Sequence, residues 1–304
     1  MTAPSFSRRA DLLQRLTGCL PSLPGFRALS LFGSLAEGRA DGYSDIDLIV
    51  TTDDLAAARE SLLGLLETVS PLESCWVMSL RPDEWNPTIV FAEESYYHKL
   101  DLGLVAAGAA NPTIPPEQTT VLITGAAHCA PIRPCQHQVY MPPRGSVGHF
   151  FLGECLGGTR YLKARKRGQL FTCYRFVSAA ADWCLRALYA AVTKQYSWHA
   201  KLATGEYLAL DRLDGAARGQ EILGALNYAT PAHMDNAFCA IMRQLYDLCR
   251  EIARDRGEPF SAHTFRRMLL FLHRELGVAP SEAGSAFTCL GAARKSEVND
   301  GDVS

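Results

Sequence analysis

The sequence predicts an α+β (α/β-like) domain built on a mixed sheet, followed by an all-α helical-bundle domain. Three observations lead there. Over the first hundred residues, short apolar runs of strand character alternate with amphipathic stretches of helical period. Prolines then gather at 112, 115, 116, 131, 134, 142 and 143, which reads as a linker or irregular insertion. From 147 on, the apolar spacing is helical. The expected division is a sheet domain over 1–106, a Pro-rich segment over 107–146, a helical domain over 147–277 and a flexible tail over 278–304.

Taken in order, Leu12, Leu13 and Leu16 fall at helical spacing, and Pro21 and Pro24 end that helix. FRALSLFG (26–33) is a short buried strand broken by Gly33-Ser34, and DIDLIVT (45–51) is a second strand. An amphipathic helix over 53–69 has Asp53 or Asp54 as its N-cap. Strand-like runs follow around 72–80, 88–92 and 96–106, and TTVLIT adds a short strand inside the Pro-rich segment. Helices are expected at about 147–167, 169–195, 214–227, 232–255 and 262–276.

The composition is that of an ordinary globular chain: 304 residues, 48% hydrophobic and 20% charged, enough for about two cored domains. Lys plus Arg is 30 against 32 for Asp plus Glu, a formal charge of −2. Holding a long duplex requires a basic excess, one cation per phosphate, so long nucleic acid is not an expected partner. No apolar run is long enough to span a bilayer, and the first residues lack the apolar core of a signal peptide. The ten cysteines lie mostly inside helical apolar patterns, where a free thiol packs as a small hydrophobe. A reduced, cytoplasmic protein is expected.

Chemistry concentrates in LFGSLAEGRADGYSDIDLIV (31–50). Asp45 and Asp47 stand two apart on a strand, so their side chains project to one face. Two carboxylates that close repel, and burying them is costly unless a cation neutralises them. Mg²⁺, a hard ion that takes carboxylate and phosphate oxygen, suits that place. The Gly33-Ser34 turn offers backbone N–H groups and a hydroxyl to an anion. Together the two parts make a site for metal and triphosphate.

G-S-x10-D-x-D within apolar flanks resembles the signature of the polymerase-β-like nucleotidyltransferase superfamily, Ser44 before the first acid included. That family has a third carboxylate on a later strand. Asp101 in SYYHKLDLGLV (95–105) stands at the expected distance, with Lys99 and Gly103 on its face. The resemblance covers roughly 26–106. Beyond it, the plan of a small catalytic domain plus a helical domain is similar to aminoglycoside and lincosamide adenylyltransferases. It implies that Asp45, Asp47 and Asp101 hold two Mg²⁺ ions with ATP or another nucleoside triphosphate. A hydroxyl then attacks the α-phosphate in line and pyrophosphate leaves, Asp101 helping to take the proton. Gly33 and Ser34 would hold the terminal phosphates, with Arg39 adding charge.

Other residues carry competing readings. Glu93 and Glu94 are alternatives for the third acid or a general base. Arg160, Lys163 and Arg167 share a helical face that either closes over the triphosphate or simply answers the helix dipole. His128, Cys129, Cys135 and His137 have zinc-ligand chemistry, but their spacing matches no familiar module. Trp76, Trp85, Tyr96 and Tyr97 line a cleft or belong to the sheet core. Arg267 and His273 faintly resemble the motif of HEPN ribonuclease domains, against an amphipathic helix with charged flanks.

The expected activity is transfer of a nucleoside monophosphate, AMP from ATP first, to a hydroxyl of a small molecule such as an antibiotic. The alternatives are a toxin-type enzyme modifying tRNA or protein, and a non-catalytic nucleotide-binding protein. A homodimer is compatible with the sequence and not demanded by it.

Overall fold

The computed structural model describes residues 6–110, 112–125, 138–196, 204–212, 216–226 and 228–279. Among them, six strands form one sheet in the order β3-β4-β5-β2-β1-β6. These are β1 (Phe26–Leu31), β2 (Ile46–Thr52), β3 (Leu72–Arg81), β4 (Glu84–Phe91), β5 (Leu100–Ala106) and β6 (Thr120–Thr124). β2 and β5 run parallel and the other neighbours antiparallel, so the sheet is mixed.

Alternation divides the central strands into two faces. Ile46, Leu48 and Val50 of β2 and Leu100, Leu102 and Leu104 of β5 are buried together with Leu12 and Leu16 of α1 (Phe6–Cys19). Leu62 and Leu66 of α3 (Leu55–Glu67) join the same core. Asp54, rather than Asp53, caps α3 by accepting from the Ala57 N–H. Between β1 and β2 lies a single turn, α2 (Gly33–Ala36).

The opposite face meets the helical region, which comprises α4 (Val147–Lys166), α5 (Leu170–Thr193), α6 (Thr204–Arg212), α7 (Ala216–Gly224), α8 (Pro231–Arg256) and α9 (Ala262–Leu276). Ser146 Oγ caps α4 by accepting from the His149 N–H at 3.1 Å. Phe151, Tyr161, Leu245 and Phe265 belong to a second core, which takes in Val90, Tyr96 and Tyr97 from the sheet side. The bundle is thereby packed onto the sheet.

Two elements differ from the sequence reading, and one expected strand acquires its partner. The run at 96–106 becomes a strand only at Leu100, because Tyr96–His98 form a 3-10 turn capped by Ser95. α6 lies where no helix is expected. TTVLIT supplies β6, which pairs with β1 and extends the sheet from within the Pro-rich segment. His128, Cys129, Cys135 and His137 lie outside the described residues, as does the tail from 280. Among the described residues the cysteines are free, and no helix is long and apolar enough to cross a membrane.

Candidate active site

Asp45 closes the loop before β2 and Asp47 is the strand's second residue, so both face away from the α1/α3 core. Asp101 of β5 is the register partner of Asp47. One carboxylate oxygen from each of Asp45, Asp47 and Asp101 lies within 4.8 Å of the others. Glu93 is exposed and Glu94 pairs with Arg15 at 2.9 Å, so neither joins the cluster.

The turn before the acids is fitted to them. Gly33 has φ +64°, and a Cβ there would stand 2.5 Å from Asp47 Oδ2. Only glycine satisfies both the left-handed backbone and the close approach. Ser34 Oγ is buried with no hydrogen-bond partner among the described residues. A hydroxyl in that state is suited to an incoming oxygen ligand.

Two lysines enter the cluster. Lys99, 4% exposed, donates to Asp45 Oδ2 at 2.8 Å and also to Asp101. Lys163 reaches down from α4 to Asp45 Oδ2 at 2.8 Å. Burial by itself would push Asp45 up, but the two ammonium groups hold its carboxyl well below the usual range. Asp47 goes the other way. Burial, then the charges of Asp45 and Asp101, push it up to about 7 against the pull of the lysines. Burial opposes the charge on Lys99, yet Asp101 and Asp45 raise it above its ordinary value. On Lys163 burial wins and lowers it. Three crowded carboxylates, one of them resisting ionisation, make a donor set fitted to a hard divalent cation.

The site is also where sheet and bundle are tied. Arg167, just beyond α4, donates to both oxygens of Asp41 at 2.7 and 2.8 Å. Those bonds, with help from Ser44, hold the Asp41 carboxyl well below its usual range. Asp41 lies in the loop between α2 and Asp45, so the clamp fixes the approach to the first acid.

A cavity of about 620 Å³ opens beside Asp47, Lys99 and Asp101, within the usual span of about 300–1,000 Å³ for small-molecule sites. It extends over β5, β4 and β3 and reaches Phe32, just before the Gly33-Ser34 turn. Its other wall is α4, α5 and α8. Trp76 of β3 lies on this wall's edge, its indole N–H donating to His149 O at 3.0 Å. Glu154 of α4 faces the cavity. Burial pushes its carboxyl up to about 7, with Arg186 and then Arg160 pulling back.

The other sequence candidates fall into place as follows. Arg160 lines the cavity, whereas Arg39 is exposed and paired with Glu37, not brought to the acids. Trp85 is buried under Arg59. Tyr96 and Tyr97 are buried and donate to Glu73 and Glu275. Arg267 holds Glu73 and Ala92 O, while buried His273 meets Val278 O, so both serve packing. Strand alternation puts Lys99 on the face of Asp101 without giving it a role, and no sequence pattern marks Glu154.

Residues 18–96 match the family model of the nucleotidyltransferase domain. The chain carries a nucleotidyltransferase domain. The match stops short of Asp101, which the parallel register of β2 and β5 sets beside Asp47. No curated protein matches by sequence. The crystal structure of an aminoglycoside 6-adenyltransferase from Bacillus subtilis is similar at 12% identity and TM-score 0.33, covering 89% of this chain and 98% of that one.

Proposed function

We propose that the protein is a Mg²⁺-dependent nucleotidyltransferase moving a nucleoside monophosphate, AMP from ATP in the first instance, onto a hydroxyl of a small molecule such as an antibiotic. The observation that carries this reading is the convergence of Asp45, Asp47 and Asp101 at the edge of a cavity large enough for a small acceptor. Asp45, Asp47 and Asp101 would hold the metal, two ions by the family resemblance. When bound, Mg²⁺ supplies charge neutralisation on the triphosphate.

This chain's own residues do the rest. The Gly33-Ser34 turn binds the terminal phosphates, with Ser34 Oγ donating. Lys163 and Arg160 bring positive charge from α4. The acceptor oxygen bonds to the α-phosphorus, the bond from that phosphorus to the bridging oxygen breaks, and pyrophosphate leaves. Asp101 takes the hydroxyl proton. Packing of the bundle over the sheet narrows the access of water to this face. In this proposal the sheet region binds the nucleotide, and the helical region after the Pro-rich segment closes over the acceptor.

The test is incubation with labelled ATP, GTP, CTP and UTP against antibiotics, tRNA and cell metabolites, with mass detection of products. A nucleotidylated small molecule, lost in the Asp45→Ala/Asp47→Ala double variant, is the expected result. Turnover that survives both substitutions rejects the reading.

A further inference from the structure

The acceptor cavity has a chemistry of its own. Away from the acids, its walls are mainly aromatic and aliphatic. Trp76 stacks on His149 with ring centroids 5.5 Å apart, and Trp183 packs on Phe150 at 5.0 Å. Met78, Phe176 and Ile114 continue the lining. Both tryptophans are anchored, Trp76 by its hydrogen bond to His149 O and Trp183 by the Arg186 guanidinium 4.1 Å above its ring. Rigid aromatic faces of this kind are pre-organised to receive flat or apolar surface.

The helix wall is opened by glycine. A Cβ at Gly153 would press on the Trp76 ring at 3.0 Å, so its absence lets β3 and α4 close together. A Cβ at Gly157 would meet nothing within 4 Å, although Gly157 lines the cavity. Glycine inside a helix costs about 1 kcal/mol relative to alanine. At Gly157 no packing demand explains that cost, and what the glycine provides is space.

Charge in the cavity is sparse. Beyond Asp47, Asp101 and Lys99, its charged lining residues are Glu154 and Arg160 among the described residues. Glu154 makes no hydrogen bond or ion pair there, although Arg186 and Arg160 act on it at longer range. An inward-facing carboxylate without a close partner is left for a ligand. One carboxylate, already opposed by two guanidinium groups, is a poor match for a polycation.

Resting on the nucleotidyltransferase reading, we propose that the acceptor is a largely apolar alcohol carrying a single amine. Its apolar face lies between Trp76 and Trp183 over Gly157, and its ammonium group is held by Glu154. A sugar with several ammonium groups does not fit this lining.

Binding can be read without turnover, from quenching of tryptophan fluorescence. The probes are apolar hydroxyl compounds with one amine, their uncharged analogues, and polycationic aminoglycosides. Monoamines are expected to bind at least tenfold more tightly than aminoglycosides. Glu154→Gln should weaken the monoamines by about ten- to a hundredfold, the worth of a charged hydrogen bond, and leave the uncharged analogues within about twofold. Gly157→Ala should keep or raise Tm while weakening the monoamines, and Gly157→Val should weaken them further. Tighter binding of aminoglycosides, equal losses for charged and uncharged probes in Glu154→Gln, unchanged affinity in both Gly157 variants, or no monoamine binding overturns the proposal. Monoamine binding as described with no nucleotidyl transfer would uphold the cavity's preference and reject the enzyme reading.

Discussion

The cavity has two walls made on opposite principles. The sheet wall is built from charge: Asp45, Asp47 and Asp101 share one spot, and Lys99 and Lys163 are drawn into it. The α4 wall is built from space: glycines at 153 and 157, aromatic rings, and the lone carboxylate of Glu154. Under the proposed function, the difference teaches that the two substrates are bound by different means. Fixed register sets the nucleotide half, where a carboxylate displaced by one residue would face the wrong side of the sheet. Tertiary packing sets the acceptor half, where no local pattern dictates the shape.

Breaking the charged wall should have the largest effect. Asp47→Asn is expected to lower turnover by about a thousandfold or more while the metal-free protein gains thermal stability at pH 8. It removes a carboxyl that burial and two neighbouring acids make reluctant to ionise. Steady-state kinetics and calorimetry check the two halves, and a lower Tm at that pH counts against the electrostatic account.

Gly33→Ala comes next. It forces a left-handed backbone at a cost of about 1–2 kcal/mol and drives a methyl into Asp47. Both stability and turnover should fall, whereas Gly157→Ala on the opposite wall should not lower Tm. Equal losses of stability in the two variants would erase the contrast between the walls.

A pH series separates the walls more finely. Asp47 and Glu154 are each raised to about 7, well above their ordinary carboxylate values. A group raised in the folded state contributes stability that is fully present below its unfolded value. That contribution is lost as pH rises through the folded value. In metal-free protein both contributions should therefore fade between about pH 4 and pH 7. Mg²⁺ should reverse the part removed by Asp47→Asn and leave the part removed by Glu154→Gln. Melting curves of the two variants with and without Mg²⁺ decide this, and identical Mg²⁺ responses would refute it.

The smallest effect concerns the clamp between the halves. Arg167 and Asp41 are each about a third exposed, so solvent screening limits the pair to below about 1 kcal/mol. Arg167→Ala should barely move Tm, yet raise KM by loosening the loop that leads to Asp45. A large drop in Tm would show that the pair is mainly structural.

What was legible in the sequence follows the same division. Asp45 and Asp47 could be read because strand period places residues two apart on one face. Asp101 followed from the same alternation in LDLGLV, and its match with Asp47 is an outcome of parallel pairing. Lys99 shared that alternation, but its bridge between Asp45 and Asp101 needs the β2–β5 contact to exist. Arg39, close to the turn in sequence, points instead to Glu37, because nearness along the chain does not fix direction after a helical turn. Glu154 lies in a helix among apolar residues and glycines. Nothing local distinguishes it from a solvated acid until β3, α5 and α8 enclose it.

Under the proposed function, Lys99 bears on the order in which metal and nucleotide arrive. With Lys163 it offsets two of the three carboxylates and leaves at most one net negative charge in the cluster. A lone Mg²⁺ approaching from water meets a weak field and must give up hydration for ligands already engaged. Arriving on a triphosphate, it brings ligands with it, and the phosphate oxygens give both ammonium groups a new counterion. Metal and nucleotide should therefore enter together, each tightening the other by the same factor in reciprocal titrations.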